Sequence, residues 1–181
     1  MSKSKRTGKV VVATLGGLAI GAAVGAVVLH RFGPQEYNFR NIGRLDATPA
    51  EAFRAFTDFE RWPDYFRSDS IVPPEAPIVE GSQFTMTEND GQRVELTITD
   101  WYPPIRCAFR LDFPETGLGQ DLHVNFAAVD TGTRLELMTD MHLAGPYKLT
   151  IPFMAPYLRH WFFPSAIRKI AADVEAAKAG T

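Results

Sequence analysis

The chain has 181 residues, 45% hydrophobic and 12% aromatic, which suits one domain with a real core plus a small extra segment. Nineteen Lys and Arg against 21 Asp and Glu give a net charge of −2, which argues against a nucleic-acid partner. The single cysteine, Cys107, excludes an internal disulfide framework and any multi-cysteine metal site.

The charge is uneven along the chain. Residues 1–9 form a basic tail with four cations (Lys3, Lys5, Arg6, Lys9) and no acid, leaving 15 cations against 21 acids elsewhere. Residues 10–29 follow, twenty residues from Val10 to Leu29 without charge or proline, and with Thr14 as the only polar side chain. At ~1.5 Å per residue such a helix is ~30 Å long, the hydrocarbon thickness of a bilayer, so the segment predicts a single transmembrane helix. It is longer than the apolar region of a cleaved signal peptide and lacks a clean small-x-small cleavage site, which favours an uncleaved anchor. Gly17, Gly21 and Gly25 recur at four-residue spacing, a face on which a second helix can approach closely and form a homodimer. The cations before the span place the amino terminus in the cytoplasm and the rest of the protein outside it.

Residues 30–38 read as a linker, broken at Gly33-Pro34, and the globular domain is expected over 39–179. Phe39 to Leu45 suits a first strand. Thr48-Pro49-Ala50-Glu51 supplies an N-cap hydroxyl, a proline at the first helical position and a glutamate at the third, a capping box ahead of a short helix. Ala52, Phe53 and Phe56 are its apolar face. A second, broken helical turn covers Asp58 to Phe66. Period two then takes over: Gln83 to Thr87, Gln92 to Trp101, and Ile105, Cys107, Phe109, Leu111 and Phe113 alternate as strands. So do Leu122, Val124, Phe126 and Ala128, then Leu135, Leu137, Thr139, Met141 and Leu143. Asn89-Asp90-Gly91 and Asp130-Thr131-Gly132 supply the turns, so the strands form an antiparallel meander with one wet face. Tyr147 to Lys178 is helical in composition, interrupted by Pro152, Pro156 and Pro164, with a buried stripe through Leu158, Trp161 or Phe162, Ile167, Ile170 and Val174. Pro164 is expected to kink or divide it. The fold class is therefore α+β, a curved antiparallel sheet wrapped around a long C-terminal helix, with a cavity between them.

The segments Ala47 to Asp58, Arg61-Trp62-Pro63-Asp64-Tyr65, Glu80 to Phe84, Trp101 to Ile105 and Gly132 to Leu137, followed by the terminal helix, resemble the SRPBCC superfamily. That superfamily comprises START-like, Bet v 1-like and polyketide cyclase/dehydrase-type domains with a helix-grip fold. The resemblance covers roughly residues 39–179. It implies a domain that encloses a small hydrophobic ligand such as a lipid, quinone or polyketide, a minority of members being enzymes. A membrane anchor and an irregular terminal helix depart from the pattern, and no catalytic residues carry over.

The aromatic and sulfur-containing side chains from the elements bordering the cavity are the candidate ligand contacts: Trp62, Tyr65, Phe66, Phe84, Trp101, Phe109, Phe126, Met141, Tyr157 and Trp161. Most large side chains of a sheet–helix layer are core, and Trp62, Trp101 and Tyr157 stand out because each sits at an element end with a polar handle. His123 and His142 fall out of phase with their strands' apolar residues and belong to the wet face beside Asp121 and Asp140, where solvated residues are expected rather than a metal site. Cys107 faces inward as a small core residue. No P-loop, GxSxG, HExxH or GxGxxG pattern occurs, and neither metal nor cofactor is expected.

These features lead to a membrane-anchored binding domain for a small hydrophobic ligand. The alternative is a cyclase/dehydrase-type enzyme acting in the same cavity, with Tyr65, Tyr157, Asp64 or His160 as proton-transfer candidates; a third reading is a docking surface assembled through the glycine face. The charge asymmetry gives a direct test: a reporter active only in the cytoplasm stays silent when fused to the carboxyl terminus. In the same membranes, Gly21→Ile weakens self-association.

Overall fold

The computed structural model describes residues 36–143 and 147–179, apart from the side chains of residues 147, 149, 151 and 152. Seven strands form one antiparallel sheet: β1 (Glu36–Leu45), β2 (Ser68–Val72), β3 (Gln83–Glu88), β4 (Arg93–Tyr102), β5 (Arg106–Phe113), β6 (Leu118–Val129) and β7 (Gly132–His142). Their order is β1-β7-β6-β5-β4-β3-β2, so β2 to β7 run as a meander and β1 closes against the last strand. Between β1 and β2 the chain crosses from one sheet edge to the other through α1 (Pro49–Phe56), a 3₁₀ turn (Phe59–Arg61) and α2 (Trp62–Phe66). After β7 come α3 (Tyr147–Tyr157), a π-helical turn (Leu158–Phe162) and α4 (Phe163–Ala179).

The local signals act as expected at α1. Thr48 Oγ1 accepts from the Glu51 amide at 3.3 Å and the Glu51 carboxylate accepts from the Thr48 amide at 2.8 Å, completing the capping box. Ala52, Phe53 and Phe56 are the buried face.

Strand register stacks the inward side chains in rows across the sheet. One row runs Phe84, Leu96, Leu111, Gln120, Met141, Tyr37 and the next Ile98, Phe109, Leu122, Thr139, Phe39. Beyond these lie Cys107, Val124, Leu137 and Asn41. The helices cover the deep rows. Phe56 meets Phe109 and Phe126 at ring-centroid distances of 6.2 and 5.9 Å, and Phe163 meets Phe39 at 5.3 Å. At Gly43 a Cβ would occupy the space taken by the Ile167 side chain, so α4 lies directly on β1 there.

Several boundaries differ from the sequence expectation, each for a physical reason. β1 starts at Glu36, inside the stretch read as linker, because its pairing with β7 extends to Glu36 opposite His142 whatever the side chains. β2 is a five-residue, mostly exposed edge strand with no apolar alternation to reveal it. Ile105 and Ala128 are exposed, the first in the β4–β5 turn and the second near the β6–β7 turn. The terminal helix is divided just before Pro164: the Phe163 amide bonds to the Leu158 carbonyl, one residue further back than in an α-helix. This wider turn leaves Trp161 exposed and turns Phe162 toward the core. The apolar segment 10–29, its glycine face and the first part of the linker lie outside the described residues. Among the described residues no helix is long and apolar enough to cross a membrane.

The β6–β7 turn is pinned to the chain leaving β1. Thr133 Oγ1 donates to the Ala47 carbonyl at 2.7 Å in a fully buried contact. Gly132 has φ +129°, and a Cβ there would collide with the Leu45 carbonyl oxygen. Gly91 also has positive φ, +83°, but open space around it. Backbone strain of ~1–3 kcal/mol is therefore common to both Gly→Ala variants. Urea denaturation should show Gly132→Ala losing about 1 kcal/mol or more beyond Gly91→Ala, the added cost of overpacking.

Candidate ligand-binding site

A cavity of about 580 Å³ separates one end of the sheet from the helices. Its floor follows from period two. Met86 on β3, Leu111 and Phe113 on β5, Leu118 and Leu122 on β6 and Met141 on β7 all point inward at that end. Trp62 and Phe66 of α2 form one wall, Phe162 and Phe163 another, and Met154, Tyr157 and Leu158 the side beneath α3 and the π turn. α4 contacts β1, α1 and α2, so the deep end is sealed while the α3 end stands off the sheet.

The polar lining is concentrated at the strand ends: Glu88, Asn89, Asp90 and Gln92 from the β3–β4 hairpin, Thr116 from the β5–β6 turn, and Arg67 after α2. Gln120 and Thr150 lie elsewhere: register sets Gln120 between Leu111 and Met141 in the floor, and Thr150 is on α3. Glu88 continues the inward phase of Phe84 and Met86. Burial, with Asp90 adding a smaller push, raises its carboxyl above the ordinary carboxylate value. Arg67 has a left-handed backbone, φ 55°, its carbonyl accepts from Asn89 Nδ2, and its guanidinium donates to the Tyr157 hydroxyl at 3.2 Å. These contacts link α2, the β3–β4 turn and α3 around the opening.

Of the ten candidate residues, Trp62, Phe66, Met141 and Tyr157 line this cavity. The Trp62 indole N–H is not free for a ligand, because it donates to the Phe56 carbonyl at 2.7 Å. Phe84, Phe109 and Phe126 are buried in the aromatic core beneath α1, outside the cavity lining. Trp101 is also outside it, packed on Phe53 at 5.2 Å and Phe59 at 6.5 Å, because the 3₁₀ turn covers that sheet end. Trp161 points to solvent. Tyr65 faces a separate polar groove of about 560 Å³ between α1 and α4, where its hydroxyl donates to Asp173 Oδ2 at 2.6 Å. Burial and then Asp173 push the Tyr65 pKa up, so the phenol stays protonated with its hydrogen directed to Asp173, outside the cavity. Asp64 and His160 are exposed and outside the cavity.

Sequence reasoning missed Glu88, Gln92 and Gln120. The signal lies in the alternation: each continues the inward period of its apolar neighbours, Gln92 at the start of the strand read from Gln92 to Trp101. Asn41 Nδ2 and Thr139 Oγ1 are likewise inward, buried and without a hydrogen-bond partner, on rows deeper than the cavity. On the outer face, His142 bonds Asp121 at 2.9 Å while His123 is 4.0 Å from Asp140, each pair bridging β6 and β7. No group of three or more His, Cys, Asp or Glu suited to holding a metal occurs among the described residues. Cys107 is buried, and burial pushes its thiol pKa well up, so it is a packing residue.

Compared by sequence, the chain matches no protein-family model and no curated protein. Its fold is nevertheless shared with solved structures. Protein SA2116 of Staphylococcus aureus, of unknown function, aligns with 80% of this chain and 96% of its own, at TM-score 0.64 and 14% identity. A Thalictrum flavum norcoclaurine synthase point mutant, in complex with a transition-state analogue, aligns with 79% of this chain and 96% of its own, at TM-score 0.60 and 8% identity. The di-domain ARO/CYC StfQ of the steffimycin biosynthetic pathway aligns with 81% of this chain at TM-score 0.61 and 15% identity. The present chain spans only 53% of StfQ. At these identities the likeness establishes architecture alone: an antiparallel sheet gripping a long C-terminal helix, the helix-grip fold these proteins share.

Proposed function

We propose that the protein is a membrane-anchored binding domain for a small hydrophobic ligand carrying one polar end. The observation that carries this reading is the cavity of about 580 Å³, apolar along its floor and walls and polar at its mouth. That volume falls within the ~300–1,000 Å³ of typical small-molecule sites. A ligand's apolar body would lie on Met86, Leu111, Leu122 and Met141, with its polar end toward Gln120, Glu88 and Arg67. Fold neighbours that belong to a biosynthetic pathway or bind a transition-state analogue support the use of this architecture for small molecules. The anchor is residues 10–29, with the domain outside the cytoplasm.

One observation favours a second reading, a cyclase/dehydrase-type enzyme. Glu88 is a half-buried carboxyl at the cavity with a raised pKa, the property required of a general acid or base working near neutral pH. Binding without turnover is the leading reading because most of the cavity lining is apolar, with Glu88, Asp90 and Tyr157 confined to its mouth.

Two measurements test the site. Leu111→Trp fills the cavity, and should weaken binding of N-phenyl-1-naphthylamine to the full chain in detergent by about tenfold, or ~1.4 kcal/mol. Unchanged affinity in a folded variant, or no probe binding by the wild type, overturns the site; native mass spectrometry of the extracted protein gives the mass of any retained ligand. For Glu88, a raised folded pKa means its stability contribution is complete below the ordinary carboxylate pKa and lost as pH rises through the folded value. Glu88→Gln cannot ionise, so its stability relative to wild type should rise as the pH is increased above the ordinary carboxylate value. A pH-independent difference shows that Glu88 is solvated. Conversion of a retained ligand by wild type but not by Glu88→Gln would establish the enzymatic reading.

A further inference from the structure

The cavity mouth, the start of the domain and the most exposed aromatic side chains occur at one end of the molecule. Glu36 pairs with His142, and Tyr37 lies opposite Met141, which lines the cavity, so the chain enters the sheet at the mouth end. Only six residues, 30–35, separate Glu36 from the apolar segment 10–29, a reach of at most ~20 Å when extended. α3 and the π turn cover that end, and their outer surface is unusual. Phe153 is 80% exposed and Trp161 68%, with Met154 and Tyr157 at 47% and 44%. Phe153, Tyr157 and Trp161 follow four-residue spacing along this helical arm. The segment is also free of acid: between Asp140 and Asp173 the sequence has Lys148, Arg159, Arg168 and Lys169 but no Asp or Glu, in a protein of net charge −2.

An exposed aromatic stripe on a segment whose own charges are all cationic fits the headgroup–acyl boundary of an anionic bilayer, where indole and phenyl rings partition and Lys and Arg meet phosphate. We propose that the outer face of α3 and the π turn, led by Phe153 and Trp161, lies in the membrane interface, so that the cavity opens toward the bilayer. This deepens the anchored-binding reading and rests on it: the short tether holds the mouth near the lipid, and the aromatic face fixes its orientation. The polar rim then meets headgroups while a lipid-soluble ligand passes beneath Met154 and Tyr157.

The full chain, reconstituted in phosphatidylcholine–phosphatidylglycerol vesicles with or without brominated acyl chains, provides the test. Trp62 is buried and Trp101 packs half-buried against Phe53 and Phe59, so bromine should reduce emission by roughly a third, the share of Trp161 among three tryptophans. The reduction should vanish in Trp161→Phe, and shrink about twofold in Phe153→Ser or in vesicles without the anionic lipid. Neither substituted residue lines the cavity, so probe binding in detergent should be unchanged. Alkali-resistant flotation with the vesicles reports the anchor independently. Flotation without bromine quenching overturns the docking face alone, including the case in which a blue shift shows a second copy or residues 10–29 covering it. Quenching without alkali-resistant flotation supports the face and overturns the anchor, and loss of both overturns both.

Discussion

Everything else in this molecule depends on how closely the C-terminal helix can approach the first strand. Gly43 has no side chain, and Ile167 uses that space, so α4 lies on β1 with Phe163, Ile170 and Val174 buried alongside. The crossing helices α1 and α2 close the adjacent part of the inner face with their aromatic residues. One end of the sheet is thereby sealed at core density. Toward the other end Pro164 cannot donate to the preceding turn, and the helix widens just before it. The arm formed by α3 and the π turn departs from the sheet, and the gap beneath it is the cavity.

That division explains the distribution of polar groups. In the sealed half Thr133 finds an internal partner at Ala47, while Asn41 Nδ2 and Thr139 Oγ1 stay buried without one. In the open half the strand ends carry Glu88, Gln92 and Gln120 on the inward phase, where solvent or a ligand can satisfy them. Desolvation still acts on Glu88, which is why its protonation is displaced although it stands near the mouth. Arg67 accepts a left-handed backbone to reach both the β3–β4 turn and Tyr157. Such conformations are costly for a side chain with a Cβ and persist where surrounding contacts hold them. Here the contacts are those that join three elements around the opening.

The sequence by itself determined α1, the central strands β4 to β7 and their phase, though not the edge strand β2. The capping box at Thr48, the alternation through β4 to β7 and the turn residues at Asp90-Gly91 and Gly132 rest on interactions within a few residues, and these survive folding unchanged. The helix-grip architecture was legible for the same reason, since a one-faced sheet with one remaining long helix has few ways to cover itself. Which aromatic residues border the cavity was not legible, because Trp101 and Phe84 look no different in sequence from Trp62 and Phe66. Their division was decided by where the 3₁₀ turn and α4 land on the sheet, a matter of contacts between residues far apart in the chain. Trp161 shows the same limit at the scale of one turn: the spacing leaves the stripe open between Trp161 and Phe162, and the π turn before Pro164 puts Phe162 against the core and Trp161 at the surface. Glu88 and Gln120 were hidden differently. Period two placed them inward, but only the register across β3, β5, β6 and β7 set them at an open space where a polar group is useful rather than costly.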